Sequence, residues 1–185
     1  PVGSTASAEK IVLLKSVFNY FKTNGGIKNL IIDLRNNGGG GLVAATQFAS
    51  FIAPKSQLGQ TYCFMQDKDG KYAAEKLLSS SDISSLNPEL ESLYFIAGYY
   101  SASASELLIH CMKAVYASAG LTCKFAGNSK TYGKNVGGYS LESLVYDWEI
   151  NLISMRVYDK NKNSGYEAGL TPDINLSQLP YPITY

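Results

Sequence analysis

Residues 93–110 read LYFIAGYYSASASELLIH, and the way this stretch divides decides what kind of fold the chain can adopt. Leu93 to Ala97 is a short, wholly apolar run, as a parallel strand buried on both faces requires. From Ser103 onward the pattern changes. Ser103-Ala104-Ser105-Glu106 fits the capping box, in which a serine hydroxyl and a glutamate satisfy the first free N–H groups of a helix. A buried strand feeding a helix is half of an α/β unit. The turn between them presents three serines, Ser101, Ser103 and Ser105. Taken alone, the stretch is explained by a helix cap better than by a nucleophile.

Outward from this unit the alternation continues. Ile11, Leu14, Phe18 and Phe21 recur at helical spacing within residues 8–22, and Asn24-Gly25-Gly26 supplies the stop. NLIIDL at 29–34 is a second buried-type strand, followed by a glycine-rich turn at 36–41 and a helix, LVAATQFASFIA, that Pro54 ends. GQTYCFMQ at 59–66 reads as a strand and DKDGK as a turn. Residues 72–92 show no firm period and are expected to be an irregular insertion. The helix after the serines runs to about Ala119, and LTCKFA at 121–126 is a strand. A polar loop, GNSKTYGKNVGG, precedes strand-like runs at 139–145 and 149–158, then NKNSG and a tail carrying GLTPD. Strands alternating with helices imply an α/β class. The length, 185 residues, suits one domain, 1–185, with a real core.

Composition removes several functions. Sixteen basic and 15 acidic residues leave a net charge of +1, dispersed along the chain, so a nucleic-acid or anionic-membrane partner has no electrostatic support. No apolar run approaches the roughly 18 residues of a membrane span. Cys63, Cys111 and Cys123 form no CxxC metal pattern and allow at most one internal disulfide; three small buried residues explain them as well. No metal or cofactor is expected. Charged residues are 17%, against about 25% typically, while Tyr, Ser and Asn are plentiful, which leans toward an extracytoplasmic setting (periplasmic, cell-surface or secreted). The chain begins at Pro1, so a leader or upstream domain is expected to lie outside the sequence.

The glycine-rich turn admits two readings. Gly39 to Ala44 matches G-x-G-x-x-A, and Asp67 follows the next strand where a ribose-binding acid belongs. Against a dinucleotide site, Arg35-Asn36-Asn37 separate strand from glycines, and no regular βα units follow. Alternatively, backbone N–H groups of the turn converge on a developing oxyanion. Asp33 and Arg35 could then brace the loop through a local ion pair.

A serine nucleophile needs a base. His110, the sole histidine, lies seven residues beyond Ser103 on one helix, about 10 Å away at 1.5 Å per residue, so a Ser-His-Asp triad is disfavoured. A lysine kept neutral by burial remains, since desolvation lowers its pKa. Lys10, Lys15 and Lys22 sit on an amphipathic helix, and Lys68 and Lys71 at a turn. Lys134, in Thr131-Tyr132-Gly133-Lys134-Asn135-Val136-Gly137-Gly138, is flanked by glycines with no acid nearby. Spacing alone would leave it a solvated loop lysine.

Four segments change that balance. LIIDLRNNGGG at 30–40, SASASELL at 101–108, KTYGKNVG at 130–137 and GLTPD at 169–173 occur in this order, and together they resemble the tail-specific, or C-terminal processing, peptidases of the S41 type. The resemblance implies a crotonase- or ClpP-like α/β spiral of β-β-α units and a serine endopeptidase acting on extended polypeptides through a Ser/Lys dyad. It puts the nucleophile on Ser103, the base on Lys134, and the oxyanion donors on Ala104 and a glycine of 38–40, Gly39 being chosen over Gly38 and Gly40. Ser101, Ser105 and Glu106 become supporting residues, with Tyr132 and Thr131 shaping the wall around the lysine. Two departures stand out. Many members carry glutamine four residues after the lysine, where this chain has Gly138. The family's PDZ-like domain has no room in this sequence. An S41-like scaffold that only binds peptides or a hydrophobic ligand is the alternative these departures favour.

Overall fold

The computed structural model of the chain describes residues 4–143 and 145–178; Pro1 and the side chain of Lys10 lie outside them. In chain order the elements are α1 (Ser4–Thr23), β1 (Asn29–Asp33), α2 (Leu42–Ile52), β2 (Thr61–Asp67), β3 (Tyr72–Lys76), α3 (Ser81–Leu86), β4 (Ser92–Ile96), α4 (Ala104–Ser118), β5 (Thr122–Gly127), β6 (Val136–Glu142), β7 (Glu149–Asp159) and β8 (Ile174–Asn175). Two four-stranded sheets result. One, in the order β1-β4-β5-β8, is parallel throughout. The other, β3-β2-β7-β6, is antiparallel.

Helix α4 is the wedge between them. Leu107, Leu108, Ile109, Met112, Val115 and Tyr116 are all buried along it, and it packs on β5 of the parallel sheet and on β2 and β7 of the other. Each such side chain withdrawn from water contributes about 1.5–3 kcal/mol, so the element that begins at the serines is also the most heavily anchored. Helix α2 docks against it, ending at Pro54 as the sequence requires. The backbone carbonyls at that end find partners: Tyr116 Oη donates to Ile52 O at 2.6 Å, and Asn87 Nδ2 donates to Ala53 O at 2.8 Å. A buried helix end satisfied in this way carries no desolvation penalty.

Three expectations are revised. Strand β4 is not buried on both faces: Leu93 and Phe95 are fully buried, whereas Tyr94 and Ile96 are only half-buried. The helices cover one side of the parallel sheet, and on the other Ile31 of β1 is 64% exposed. Residues 72–92 are not irregular. They hold β3, paired with β2, and α3, whose N-cap Ser80 accepts the Ile83 N–H. Their serine-rich sequence conceals the period because only Leu77, Ile83 and Leu90 are buried apolar anchors there. The polar loop ends earlier than expected: β6 begins at Val136, so Gly137 and Gly138 are strand residues.

The dinucleotide reading is overturned. After α2 the chain enters β2 of the antiparallel sheet instead of a neighbouring parallel strand. Asp67 is spent in the β2–β3 turn, its Oδ1 accepting the N–H groups of Asp69 and Lys71, each at 2.9 Å.

Candidate active site

Between β4 and α4 the chain makes a tight turn. Ser103 has φ 57° and ψ −118°, the mirror image of the first central residue of a type II turn, hence type II′ geometry. The closing hydrogen bond runs from Ser105 N–H to Ala102 O at 3.1 Å. Glycine normally fills this position. A serine there carries backbone strain on the order of 1–3 kcal/mol, and strain of this kind collects at functional sites. It lifts the Ser103 side chain out of the turn toward an adjoining cavity.

The geometry separates the three serines. Ser101 is fully buried; its hydroxyl donates to Leu34 O at 2.8 Å and accepts the Gly98 N–H at 3.1 Å, tying the turn to the end of β1. Ser105 is buried as well, donating to Asn37 Oδ1 at 3.0 Å. Ser103 alone of the three lines the cavity, a cleft of about 550 Å³ whose walls include Gly40, Ala104, Leu107, Lys134, Gly138 and Tyr166. Burial holds the Tyr166 phenol above its ordinary pKa. His110 is a half-buried residue of α4 whose Nε2 lies 3.0 Å from Asn163 O.

The glycine turn lies directly against the elbow. A Cβ on Gly39 would stand 2.7 Å from Ala104 N and 2.8 Å from the Ser103 Cβ, and its φ is +102°; only glycine brings the loop this close. Its amide, however, already donates to Asn37 Oδ1 at 3.0 Å. Gly39 therefore sits beside the expected oxyanion position with its N–H engaged. Gly40 reaches the cavity and Gly38 does not. Asp33 and Arg35 form the anticipated ion pair at 2.6 Å, and the hydrogen bonds from Arg35 hold the Asp33 carboxyl below the usual carboxylate range.

The lysine loop is fixed from two directions. From the tail, Thr131 N–H donates to Leu170 O at 3.1 Å, and Leu170 N–H donates to Thr131 Oγ1 at 2.7 Å. Asp173 ties the same segment to the core, pairing with Lys113 of α4 at 2.6 Å and accepting Phe125 N–H at 2.8 Å. From beneath comes Glu106, fully buried. The expected capping box is present, Ser103 N–H donating to Glu106 Oε2 at 2.9 Å. The same carboxylate also accepts Thr131 Oγ1–H and Gly133 N–H, both at 2.6 Å, and Lys134 N–H at 2.8 Å. Sequence reasoning assigned Glu106 a local role and missed these long-range bonds, because no spacing rule links position 106 to 131–134.

Two features differ from expectation. Lys134 lines the cavity, exposed instead of buried, and makes no ion pair among the described residues. Tyr132 is not among the residues that line the cavity. It is 57% exposed, and its ring lies 5.9 Å from that of Tyr99. The departure at Gly138 has a steric cause: the residue follows a bulge in β6, and a Cβ there would overlap the Leu152 carbonyl oxygen of β7. No glutamine fits without moving a strand.

The strained elbow at Ser103, the glycine loop packed against it and Lys134 thus meet at one cleft. The chain belongs to peptidase family S41, whose family model matches residues 7–176. Solved structures share the fold. A putative S41 protease from Bacteroides fragilis is 24% identical with a TM-score of 0.77, over 94% of this chain and 43% of that one. A lipoprotein from Streptococcus agalactiae is 19% identical with a TM-score of 0.71, over 92% and 57%. The photosystem II D1 C-terminal processing protease is 21% identical with a TM-score of 0.66, over 90% and 39%. This chain thus spans roughly two to three fifths of the length of each. Among curated proteins none matches.

Proposed function

We propose that this domain is the catalytic part of a serine endopeptidase that cleaves extended polypeptides, with Ser103 as nucleophile and Lys134 as base. The observation that carries the reading is the shared cleft: the strained Ser103 and Lys134 line one cavity and are joined beneath it by Glu106. The peptide pairs with β6, the edge strand of the antiparallel sheet, whose residues from Val136 to Ser140 line that cavity. Such pairing positions a scissile bond without demanding sequence. Bound peptide covers Lys134 and strips its water, and desolvation favours the neutral amine that a base requires.

Lys134 Nζ then takes the Ser103 proton as Oγ attacks the carbonyl carbon. The oxyanion accepts the Ala104 N–H at the helix start and the Gly39 N–H, the substrate oxygen replacing Asn37 Oδ1. Lys134 Nζ returns the proton to the leaving amine; it then takes a proton from water as the oxygen attacks the acyl-serine carbonyl, and passes it to Ser103 Oγ as the ester bond breaks and the carboxylate product leaves. The extracytoplasmic setting is part of this proposal and rests on composition.

The exposed Lys134 and the blocked position 138 favour a second reading, a peptide-binding domain without turnover. Incubation with an unfolded protein substrate separates them. Cleavage that is lost in Ser103→Ala and in Lys134→Ala, both still folded, sustains the peptidase. Equal peptide binding by wild type and Ser103→Ala, with no cleavage by either, sustains the binding domain.

A further inference from the structure

Glu106 does more than begin a helix. Its two carboxylate oxygens accept four donors, two each: Thr131 Oγ1–H and Gly133 N–H at Oε1, Ser103 N–H and Lys134 N–H at Oε2. Three of the four partners are backbone N–H groups, which can only donate, so both oxygens are surrounded as acceptors although the side chain is fully buried. A buried charge is tolerated only when hydrogen bonds replace its water, and charge-assisted bonds to N–H and O–H groups are about twice as strong as neutral ones. Three of the four donors belong to the base loop, 25 to 28 residues away in sequence. The fourth is the nucleophile's own amide.

We infer, resting on the peptidase reading, that Glu106 is a positioning residue whose charge sets the separation of Ser103 and Lys134. Two consequences follow for the chemistry. The Lys134 backbone is pinned at its own N–H, so the long side chain swings from a fixed root. The Ser103 N–H is withdrawn from the cleft, leaving the Ala104 N–H as the elbow's oxyanion donor. Glu106 touches neither substrate nor reacting atoms; it acts through the residues it holds.

Glu106→Gln tests the charge at nearly constant shape. A glutamine presents one acceptor and one NH2 group, so whichever way it flips, two donors meet a donor. A displacement of the reacting groups on the order of 1 Å costs about 100-fold in rate; kcat should fall by about that factor while KM stays within about twofold, since no substrate contact is lost. Thr131→Val removes one donor to Glu106 together with the acceptor for Leu170 N–H and should lower kcat about tenfold; Thr131→Ser keeps both bonds and should restore it. A purely structural role would lower the folded fraction without changing kcat per folded molecule. The amide proton resonances of Gly133 and Lys134, shifted downfield by the carboxylate in the wild type, should move upfield in Glu106→Gln. That measurement holds even if wild type and Ser103→Ala prove equally inert, an outcome that defeats the peptidase reading alone. Wild-type kcat in folded Glu106→Gln, or Gly133 and Lys134 resonances that do not move, overturns the inference; if that variant does not fold, unchanged kcat in Thr131→Val overturns it.

Discussion

The two walls of the cleft are built in opposite ways. On one side, the elbow at 101–106 and the lysine loop at 131–134 are stitched together by buried polar groups, Glu106 and Thr131 foremost, above a helix whose apolar face is sealed between two sheets. On the other, β6 and β7 run out beyond β2 as a two-stranded ribbon. Tyr139, Leu141, Trp148, Ile150, Leu152 and Ile153 stand exposed along it, Ile153 at 73%. A lone hairpin is marginal in water, and this one is held at its base by the pairing of Met155–Asp159 with β2. Under the proposed peptidase reading the contrast is a division of labour: the stitched wall holds the reacting groups, and the ribbon offers a backbone edge and an apolar surface to an extended chain.

The largest test of that division lies at the elbow. Ser103→Gly should abolish cleavage, to below about one thousandth of the wild-type rate. It should also raise stability by about 1 kcal/mol, because glycine adopts the II′ conformation without the strain serine carries. Activity and thermal unfolding measured on the same preparation check both halves. A neutral or destabilising effect would remove the case that Ser103 is held there for function.

At the base of the ribbon, Gly138→Ala forces a Cβ onto the Leu152 carbonyl. Separating β6 from β7 should cost about 1–3 kcal/mol and raise KM more than it lowers kcat, which steady-state kinetics alongside denaturant unfolding would read. Gly138→Gln should behave alike and bring no gain in rate.

The smallest effect on stability belongs to the ribbon's surface. Ile153→Ser removes an exposed side chain that lines the cleft. It should change stability by less than about 0.5 kcal/mol yet raise KM severalfold. A matching fall in kcat with KM constant would mean that the two walls do not divide their tasks as described.

Much of the rigid wall was legible in the sequence. NLIIDL, LYFIA and LTCKFA read as strands because runs of apolar residues leave few alternatives, and the helix after the serines announced itself through its cap. The four segments at 30–40, 101–108, 130–137 and 169–173 meet at one place, where GLTPD serves as the brace that ties Thr131 to Leu170 and Asp173 to α4. What could not be read was long-range. Glu106 matched a local cap and its other three partners lie far along the chain. The engagement of the Gly39 amide by Asn37 depends on a side-chain rotamer, and the exposure of Lys134 on what lies above the loop. In β3 and α3, the few apolar anchors are spaced too irregularly among serines to reveal a period.

Whether Lys134 activates Ser103 is read directly by a mechanism-based label. A fluorophosphonate bonds to an activated serine oxygen with loss of fluoride and a proton. Intact mass followed by peptide mapping should place one adduct on Ser103 in the wild type and none in Lys134→Ala at equal time and pH. An adduct on another residue, or labelling of Ser103 that is as fast without Lys134, would contradict that activation.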